Sequence, residues 1–214
     1  MEKKNGKGKE YYQDGQLRLE GEYLYDHIIK GREYIKNKLE YEGEYLFDRK
    51  WNGKGYDNNG NIIYKLINGN GNVKEYLEGK LEFEGKYING LRNGKGKEYD
   101  SDGYLYFEGE YLNGLRNGEG KEYDDVVIFK GEYLNGVRNG KGTEYNFWGE
   151  LKFEGEYLNG IRNGKGKEYY ESGELKFEGE YLNGTRNGKG KEYYENGELK
   201  YEGEYLNGKI ISWK

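Results

Sequence analysis

One motif of about two dozen residues recurs through the chain and constrains its fold more than any other feature. The motif core reads Glu-Gly-Glu-Tyr or a close variant, and its glycines recur at steps of 22 or 24 residues, apart from one gap of 42. These glycines are Gly21, Gly43, Gly85, Gly109, Gly131, Gly155, Gly179 and Gly203. A fixed period of this length is typical of stacked repeats, in which each unit packs only against its neighbours. We therefore predict a single array over residues 1–214, with about nine units of 22–24 residues.

Patterning within the repeat predicts strands, because glycine recurs too often for a stable helix. Phe177, Gly179 and Tyr181 alternate with glutamates, so one face of this strand is aromatic and the other is charged. The predicted turn comprises the five residues from Asn183 to Asn187, whose Asn-Gly steps supply the positive φ angles that a hairpin needs, and a second strand is predicted from Gly188 to Tyr194. The predicted fold is all-β, an elongated, twisted, open sheet of stacked β-hairpins.

The glycines of the second strand have a predicted structural role. Glycine inside a strand marks a close approach to the backbone, so Gly188 and Gly190 are expected on the aromatic side, beneath Phe or Tyr rings. On the opposite face, the glutamates that flank Gly179 face the lysines that flank Gly190. This arrangement favours cross-strand ion pairs that help to set the register.

Regularity varies along the predicted array. Residues 81–208 repeat closely, residues 24–80 are irregular, and residues 209–214 read KIISWK in place of a glycine-rich strand. Stacked arrays need special end units, so we predict a C-terminal cap over residues 209–214. Unpaired edge strands also invite partners, and we expect homo-oligomers to form through the terminal units. The candidate contacts are Ile210, Ile211 and Trp213.

Residue types argue against catalysis and against a metal or cofactor site. The chain has no Cys, His27 is its one His, and only three Ser occur, so neither a Ser-His nor a Cys-His arrangement is expected. Paired glutamates recur in nearly every repeat, which favours a solvated face over one tuned acid-base pair. The segment from Asp100 to Gly103 lacks the further ligands of a calcium loop. We expect a protein that is not an enzyme and holds no cofactor.

The unit FEGEYLNGxRNGKGKEY resembles the MORN (membrane occupation and recognition nexus) repeat. The matching positions are Phe177, Gly179, Tyr181, Gly184, Gly188 and Gly190, although tyrosine stands where the family often has tryptophan. The resemblance implies one β-hairpin per repeat, stacked into an open, twisted sheet. It also implies roles in tethering, scaffolding and partner docking, with phospholipid binding among them.

Docking of another protein is the first predicted function. A groove lined by aromatic rings suits an extended peptide or a helix, because tyrosine gives a large contact area at low entropic cost. The predicted function is therefore a non-catalytic scaffold for protein–protein interaction. The candidate groove residues are Tyr87, Phe107, Tyr111, Tyr133, Phe153, Tyr157, Phe177, Tyr181 and Tyr205.

A peripheral membrane tether is the alternative. Five arginines hold one position in the predicted loop between the two strands and could bind acidic phospholipids or another acidic partner: Arg92, Arg116, Arg138, Arg162 and Arg186. The formal net charge of −5 opposes attraction to an anionic membrane. Glycan binding on aromatic platforms is a third, weaker alternative. No nucleic-acid partner is expected.

The predicted location is cytoplasmic, with membrane or cytoskeletal association as a further expectation. The chain has no Cys, which is typical of a reducing compartment, and charged residues rather than an apolar run follow Met1. No stretch approaches the roughly 20 apolar residues that span a bilayer.

Overall fold

The structure, a computed structural model, describes the backbone of residues 3–77 and 79–213 and the side chains as far as residue 211. No helix occurs in these residues, which confirms the predicted all-β class. The strands are β1 (Gly6–Tyr11), β2 (Leu17–Leu24), β3 (His27–Ile35), β4 (Lys38–Leu46), β5 (Arg49–Tyr56), β6 (Ile62–Leu66), β7 (Gly71–Leu77), β8 (Lys80–Ile88), β9 (Leu91–Tyr99), β10 (Leu105–Leu112), β11 (Leu115–Asp124), β12 (Val126–Leu134), β13 (Val137–Tyr145), β14 (Leu151–Leu158), β15 (Ile161–Tyr169), β16 (Leu175–Leu182), β17 (Thr185–Tyr193), β18 (Leu199–Leu206) and β19 (Lys209–Trp213).

The chain divides into two compact units. The first runs to Leu105 and includes Tyr111–Leu115, and the second comprises Tyr106–Glu110 and the residues from Arg116 onward. In the first unit, β1 to β6 form an open six-stranded sheet in chain order, and β7, β8 and β9 pair antiparallel in turn. In the second unit, β11 to β19 pair antiparallel in chain order. Sequential hairpins in open antiparallel sheets confirm the predicted open sheet of β-hairpins, whereas a single elongated array over residues 1–214 stays a prediction.

Asn-Gly turns close the hairpins because both residues adopt positive φ. Asn183 and Gly184 have φ angles of 49° and 83°, which suits the tight two-residue turn of a hairpin. The same turn attaches to the preceding hairpin, since the Gly184 N–H donates to the Arg162 carbonyl at 2.9 Å. The Asn183 N–H donates to the side chain of Asn163 at 3.4 Å. The asparagine of Arg-Asn-Gly therefore links successive hairpins, a role that sequence analysis missed.

The core of the second unit consists of phenylalanine rings laid on paired glycines. Gly179 pairs with Gly190 across β16 and β17, and a Cβ added to Gly190 would lie 2.5 Å from Cζ of the Phe177 ring. This ring meets Tyr181 and Tyr205 edge-on, with centroid distances of 5.7 and 5.3 Å. The prediction for Gly190 is thus confirmed, and each ring bridges its own hairpin and the next.

The prediction for Gly188 is wrong. This residue has a φ of 92°, and a Cβ there would collide with the Glu180 carboxylate instead of an aromatic ring. The left-handed backbone at Gly188 turns it toward the charged face, where it leaves space for the carboxylate.

Candidate interaction surfaces

The rings predicted to line an open partner groove lie in the interior. Eight of the nine are 5% exposed or less: Phe107, Tyr111, Tyr133, Phe153, Tyr157, Phe177, Tyr181 and Tyr205. The ninth, Tyr87, is half-buried. The structure gives these rings a packing role, so a partner could contact them only if the core opened.

The five arginines lie in strands, not in the loops where the sequence pattern placed them. Each is the second residue of its strand, in β9, β11, β13, β15 and β17. The Arg186 guanidinium carbon lies 4.1 Å from the centroid of the Phe177 ring, within the range of a cation–π contact. Its Nη2 and Nε donate to the Glu168 carboxylate at 2.6 and 3.3 Å. The Tyr181 hydroxyl donates to the same carboxylate at 2.6 Å.

This Glu–Tyr–Arg–Phe cluster recurs through the chain, and its hydrogen bonds keep the glutamate and the arginine ionised. Burial by itself would raise the pKa of Glu168, but the hydrogen bonds from Arg186 and Tyr181 outweigh it and hold the pKa below 4.5. Burial would lower the pKa of Arg186, and the bond to Glu168 reverses that effect. The arginines are therefore committed to intramolecular carboxylates. The same contacts occur in Glu75/Tyr87/Arg92/Phe83, Glu122/Tyr133/Arg138/Phe129 and Glu144/Tyr157/Arg162/Phe153.

Removing one arginine is expected to destabilise the fold. Arg162→Met leaves the mostly buried Glu144 carboxylate without its cationic partner, and we expect the free energy of unfolding to fall by about 2 kcal/mol. Lys167→Met is the matched control, because Lys167 forms an exposed 3.7 Å pair with Glu154 that contributes at most about 0.5 kcal/mol. Urea denaturation followed by circular dichroism measures both. Equal losses would contradict the cluster's structural role.

Alkaline pH is expected to unfold the protein through its tyrosines. Burial, reinforced by neighbouring glutamates, raises the pKa of Tyr169 and of Tyr193 from 10 to about 12. Since the folded state favours the neutral phenols, this stabilisation is complete below pH 10 and is lost as pH rises through about 12. Denaturation at pH 9, 10, 11 and 12 should show a falling free energy of unfolding. The Tyr169→Phe/Tyr193→Phe variant should show a shallower fall; an unchanged slope would contradict the assignment.

The face opposite the rings carries a groove floored by glycine backbone. In the second unit it measures about 750 Å³ and crosses β13 to β18, with lysines and glutamates as its walls. On one wall, Lys167 pairs with Glu154 at 3.7 Å and Lys191 pairs with Glu202 at 3.8 Å. The predicted cross-strand ion pairs are confirmed on this wall. A groove of about 860 Å³ with the same kinds of residues lies in the first unit.

The other wall of the groove in the second unit carries lysines with no ion pair in the described part of the chain. They are Lys141, Lys165 and Lys189, which stand across from Glu156, Glu180 and Glu204 in the register. Glu156 is turned down onto the sheet, where its Oε2 accepts the Lys165 backbone N–H at 3.1 Å. Gly164, with a φ of 100°, leaves the space for this carboxylate. The ammonium groups are therefore available to a partner.

A row of aliphatic side chains runs beside these lysines, next to the hairpin turns. We call it the turn-side row; its members are Leu134, Val137, Leu158, Ile161, Leu182 and Leu206, and they are 43–51% exposed. Leu134 pairs with Val137 and Leu158 pairs with Ile161 in the register, so the row continues from strand to strand. Strand alternation puts Leu158 on the same face as Glu156, two residues earlier. The row and the free lysines are therefore adjacent.

The irregular region of the first unit contains a variant of the buried cluster. Lys50 stands across from Tyr45 and lies 4.9 Å from the centroid of the Tyr41 ring. Its ammonium group contacts Glu33 and Glu40 at 2.9 and 2.7 Å. Burial raises the pKa of Glu40 to about 7, and the neighbouring Glu33 adds to this effect against the opposing Lys50. Lysine thus replaces arginine here, beside a cleft of about 400 Å³.

Other candidate features of the described residues are few. They include no group of three or more His, Asp or Glu placed to hold a metal ion, and no helix long and apolar enough to cross a membrane. His27 Nδ1 lies 2.6 Å from an oxygen of Asp48, on the surface. Ile210 and Ile211 are 41% and 56% exposed in β19, whereas the Trp213 side chain lies outside the described residues. Self-association through this end stays a prediction.

Comparison with known families agrees with this geometry. Residues 83–103, 107–125, 129–149 and 153–174 match the family model described as MORN repeat. Residues 4–25 and 186–211 match the model described as MORN repeat variant. Together these segments cover more than half of the chain. No curated protein is significantly similar to it.

Proposed function

Because the chain belongs to the MORN repeat family, whose repeats often mediate protein or membrane interactions, we propose that it is a non-catalytic scaffold that binds another protein. The observation that carries the proposal is the turn-side row. Five aliphatic side chains, from Leu134 to Leu182, stand about half exposed on five successive strands, and Leu206 follows after Thr185. Such surfaces are uncommon on soluble proteins unless they bind something. The proposal places the protein in the cytoplasm, as its lack of cysteine suggests.

The geometry gives less support to a membrane tether that uses the arginines. Arg138, Arg162 and Arg186 each bond a glutamate and stack on a phenylalanine ring. A phospholipid headgroup would have to displace that glutamate and leave it unpaired in a mostly buried position, which is costly. The net charge of −5 adds a general repulsion from anionic membranes.

Crosslinked capture from cell extract tests the proposal. The intact chain is compared with Leu158→Asp/Leu182→Asp, which places charges in the turn-side row. Leu199→Asp is the control, since Leu199 is also 51% exposed but lies outside the row. We expect proteins that the intact chain and the control both capture and the double variant does not. Capture that is the same for all three chains would contradict docking at this surface.

A further inference from the structure

We propose that the turn-side row and its flanking lysines bind an amphipathic helix whose apolar face is bordered by acidic residues. The inference rests on the proposed scaffold function and names the chemistry of the partner. The binding surface lies in the second unit, on β12 to β18. It combines two independent observations: the half-exposed aliphatic side chains and the three lysines, Lys141, Lys165 and Lys189, that form no ion pair within the described chain.

The spacing of the row suits a helix. Neighbouring strands lie about 4.8 Å apart, so the members from Leu134 to Leu182, on β12 to β16, follow one another at about that distance. An amphipathic helix returns an apolar side chain to one face about every 5.4 Å, and four steps accumulate a mismatch of only about 2.4 Å. In an extended peptide, side chains on one face recur about every 6.8 Å, so the mismatch over the same four steps would reach about 8 Å. A helix therefore keeps contact along the row.

The three lysines Lys141, Lys165 and Lys189 indicate that the bound helix carries negative charges along one side. They lie on alternate strands, about 10 Å apart, and residues seven apart on a helix are separated by about 10.5 Å. Glu156 and Glu180 oppose an acidic partner weakly, because both carboxylates are turned onto the backbone: Glu156 accepts the Lys165 N–H, and Glu180 occupies the space beside Gly188. Glu204, across from Lys189, is the third carboxylate of this wall. Glu119 occupies the corresponding position in β11, so the lysine series begins only at Lys141. Acidic residues along one flank of the helix would meet these ammonium groups.

A membrane surface is the less favoured occupant of the same site. The three lysines stand across from three glutamates, so this wall has no excess of positive charge, and the whole chain carries a net charge of −5. Stable attraction to anionic lipid needs a larger basic cluster. A helix requires only a local match of charges, and it buries the aliphatic side chains without insertion into a bilayer.

The test is a titration of the full chain with synthetic peptides. The probe is an 18-residue helix with leucines on one face and glutamates along one flank, and a sister peptide carries lysines instead of the glutamates. We expect the acidic peptide to bind with a dissociation constant of tens of micromolar and the basic one at least about tenfold more weakly. Raising the salt concentration to 0.5 M should weaken the acidic complex. Equal binding of the two peptides would overturn the proposal.

Variants of the chain locate the site. Lys141→Glu/Lys165→Glu/Lys189→Glu should weaken the acidic peptide about tenfold or more and strengthen the basic one. The matched control, Lys121→Glu/Lys167→Glu/Lys191→Glu, makes the same charge change at two lysines of the other wall and at Lys121, which lies in β11 outside the groove, and should alter binding less than about twofold. The three lysine-to-glutamine changes serve as a milder version if the first variant misfolds by circular dichroism. Equal effects on both walls would refute the assigned site.

Two further outcomes separate this inference from the proposed function. If crosslinked capture depends on the turn-side row but the acidic peptide does not bind, the scaffold function stands and the helix assignment fails. If phosphatidylserine vesicles bind the chain through the same lysines while the acidic peptide does not, the occupant is a membrane and the assignment also fails.

Discussion

Replacing Phe153 by alanine is expected to lower the free energy of unfolding by about 3–5 kcal/mol, the typical cost of removing a buried aromatic ring. The ring is 0% exposed. It lies 5.8 and 5.3 Å, centroid to centroid, from Tyr157 and Tyr181, and 3.9 Å from the guanidinium carbon of Arg162. Its removal leaves a cavity between two hairpins and abolishes the cation–π contact with Arg162. Urea denaturation followed by far-ultraviolet circular dichroism gives the loss.

The control for this substitution is Phe147→Ala. Phe147 lies between β13 and β14 and is 58% exposed, so we expect a change within about 0.5 kcal/mol. Similar losses at the two positions would mean that the buried ring does not hold the hairpins together. In a stacked array stability is close to a sum over neighbouring units, so the effect of Phe153→Ala should be strongest in hydrogen exchange of β14 to β16.

The hairpins and their ring-on-glycine packing could be predicted from sequence because both depend on local pattern. The Asn183-Gly184 turn follows from the φ preferences of its residues, and the place of Gly190 follows from alternation. The position of Arg186 was predicted wrongly, because a second Asn-Gly step at Asn187-Gly188 led to a turn that was too long. The turn is two residues long instead of five, so β17 starts at Thr185 and the register sets Arg186 across from Tyr181. Because the turn is shorter than predicted, the arginines lie in strands and pack on the phenylalanine rings of the core.

The candidate docking surface was only partly predictable. Side chains alternate between the two faces of a strand, and Leu182 alternates with Phe177 and Tyr181. The sequence alone therefore assigns Leu182 to the charged face. The free ammonium group of Lys165 was not predictable. It depends on Glu156 and Glu180 turning onto the backbone at Gly164 and Gly188, where φ is 100° and 92°, and periodicity does not reveal these left-handed conformations. The sequence shows only which glutamates and lysines face each other across neighbouring strands, so it predicted ion pairs on both walls.

Gly179→Ala is expected to destabilise the protein by about 2–3 kcal/mol, because the added methyl group has no room on either side. It would lie 2.6 Å from Cζ of the Phe177 ring and 2.7 Å from the Gly190 Cα. Alanine restricts the unfolded chain more than glycine does, which favours folding by less than about 1 kcal/mol and cannot offset the clash. Gly197→Ala is the control: nothing lies within 4 Å of its Cβ, and only its φ of 83° opposes the change. We expect this control substitution to lower the free energy of unfolding by about 1 kcal/mol.

A double-mutant cycle separates the ring from the backbone as the source of the clash at Gly179. If the Phe177 ring is the main obstacle, Phe177→Ala/Gly179→Ala should cost clearly less than the sum of the single losses, since the new methyl group enters space that the ring has left. If the Gly190 Cα is the main obstacle, the two losses should add. We expect a coupling of about 1 kcal/mol or more, because removal of the ring relieves the contact at 2.6 Å and leaves only the backbone contacts with the Gly190 Cα and the Lys189 carbonyl oxygen, at 2.7 Å each.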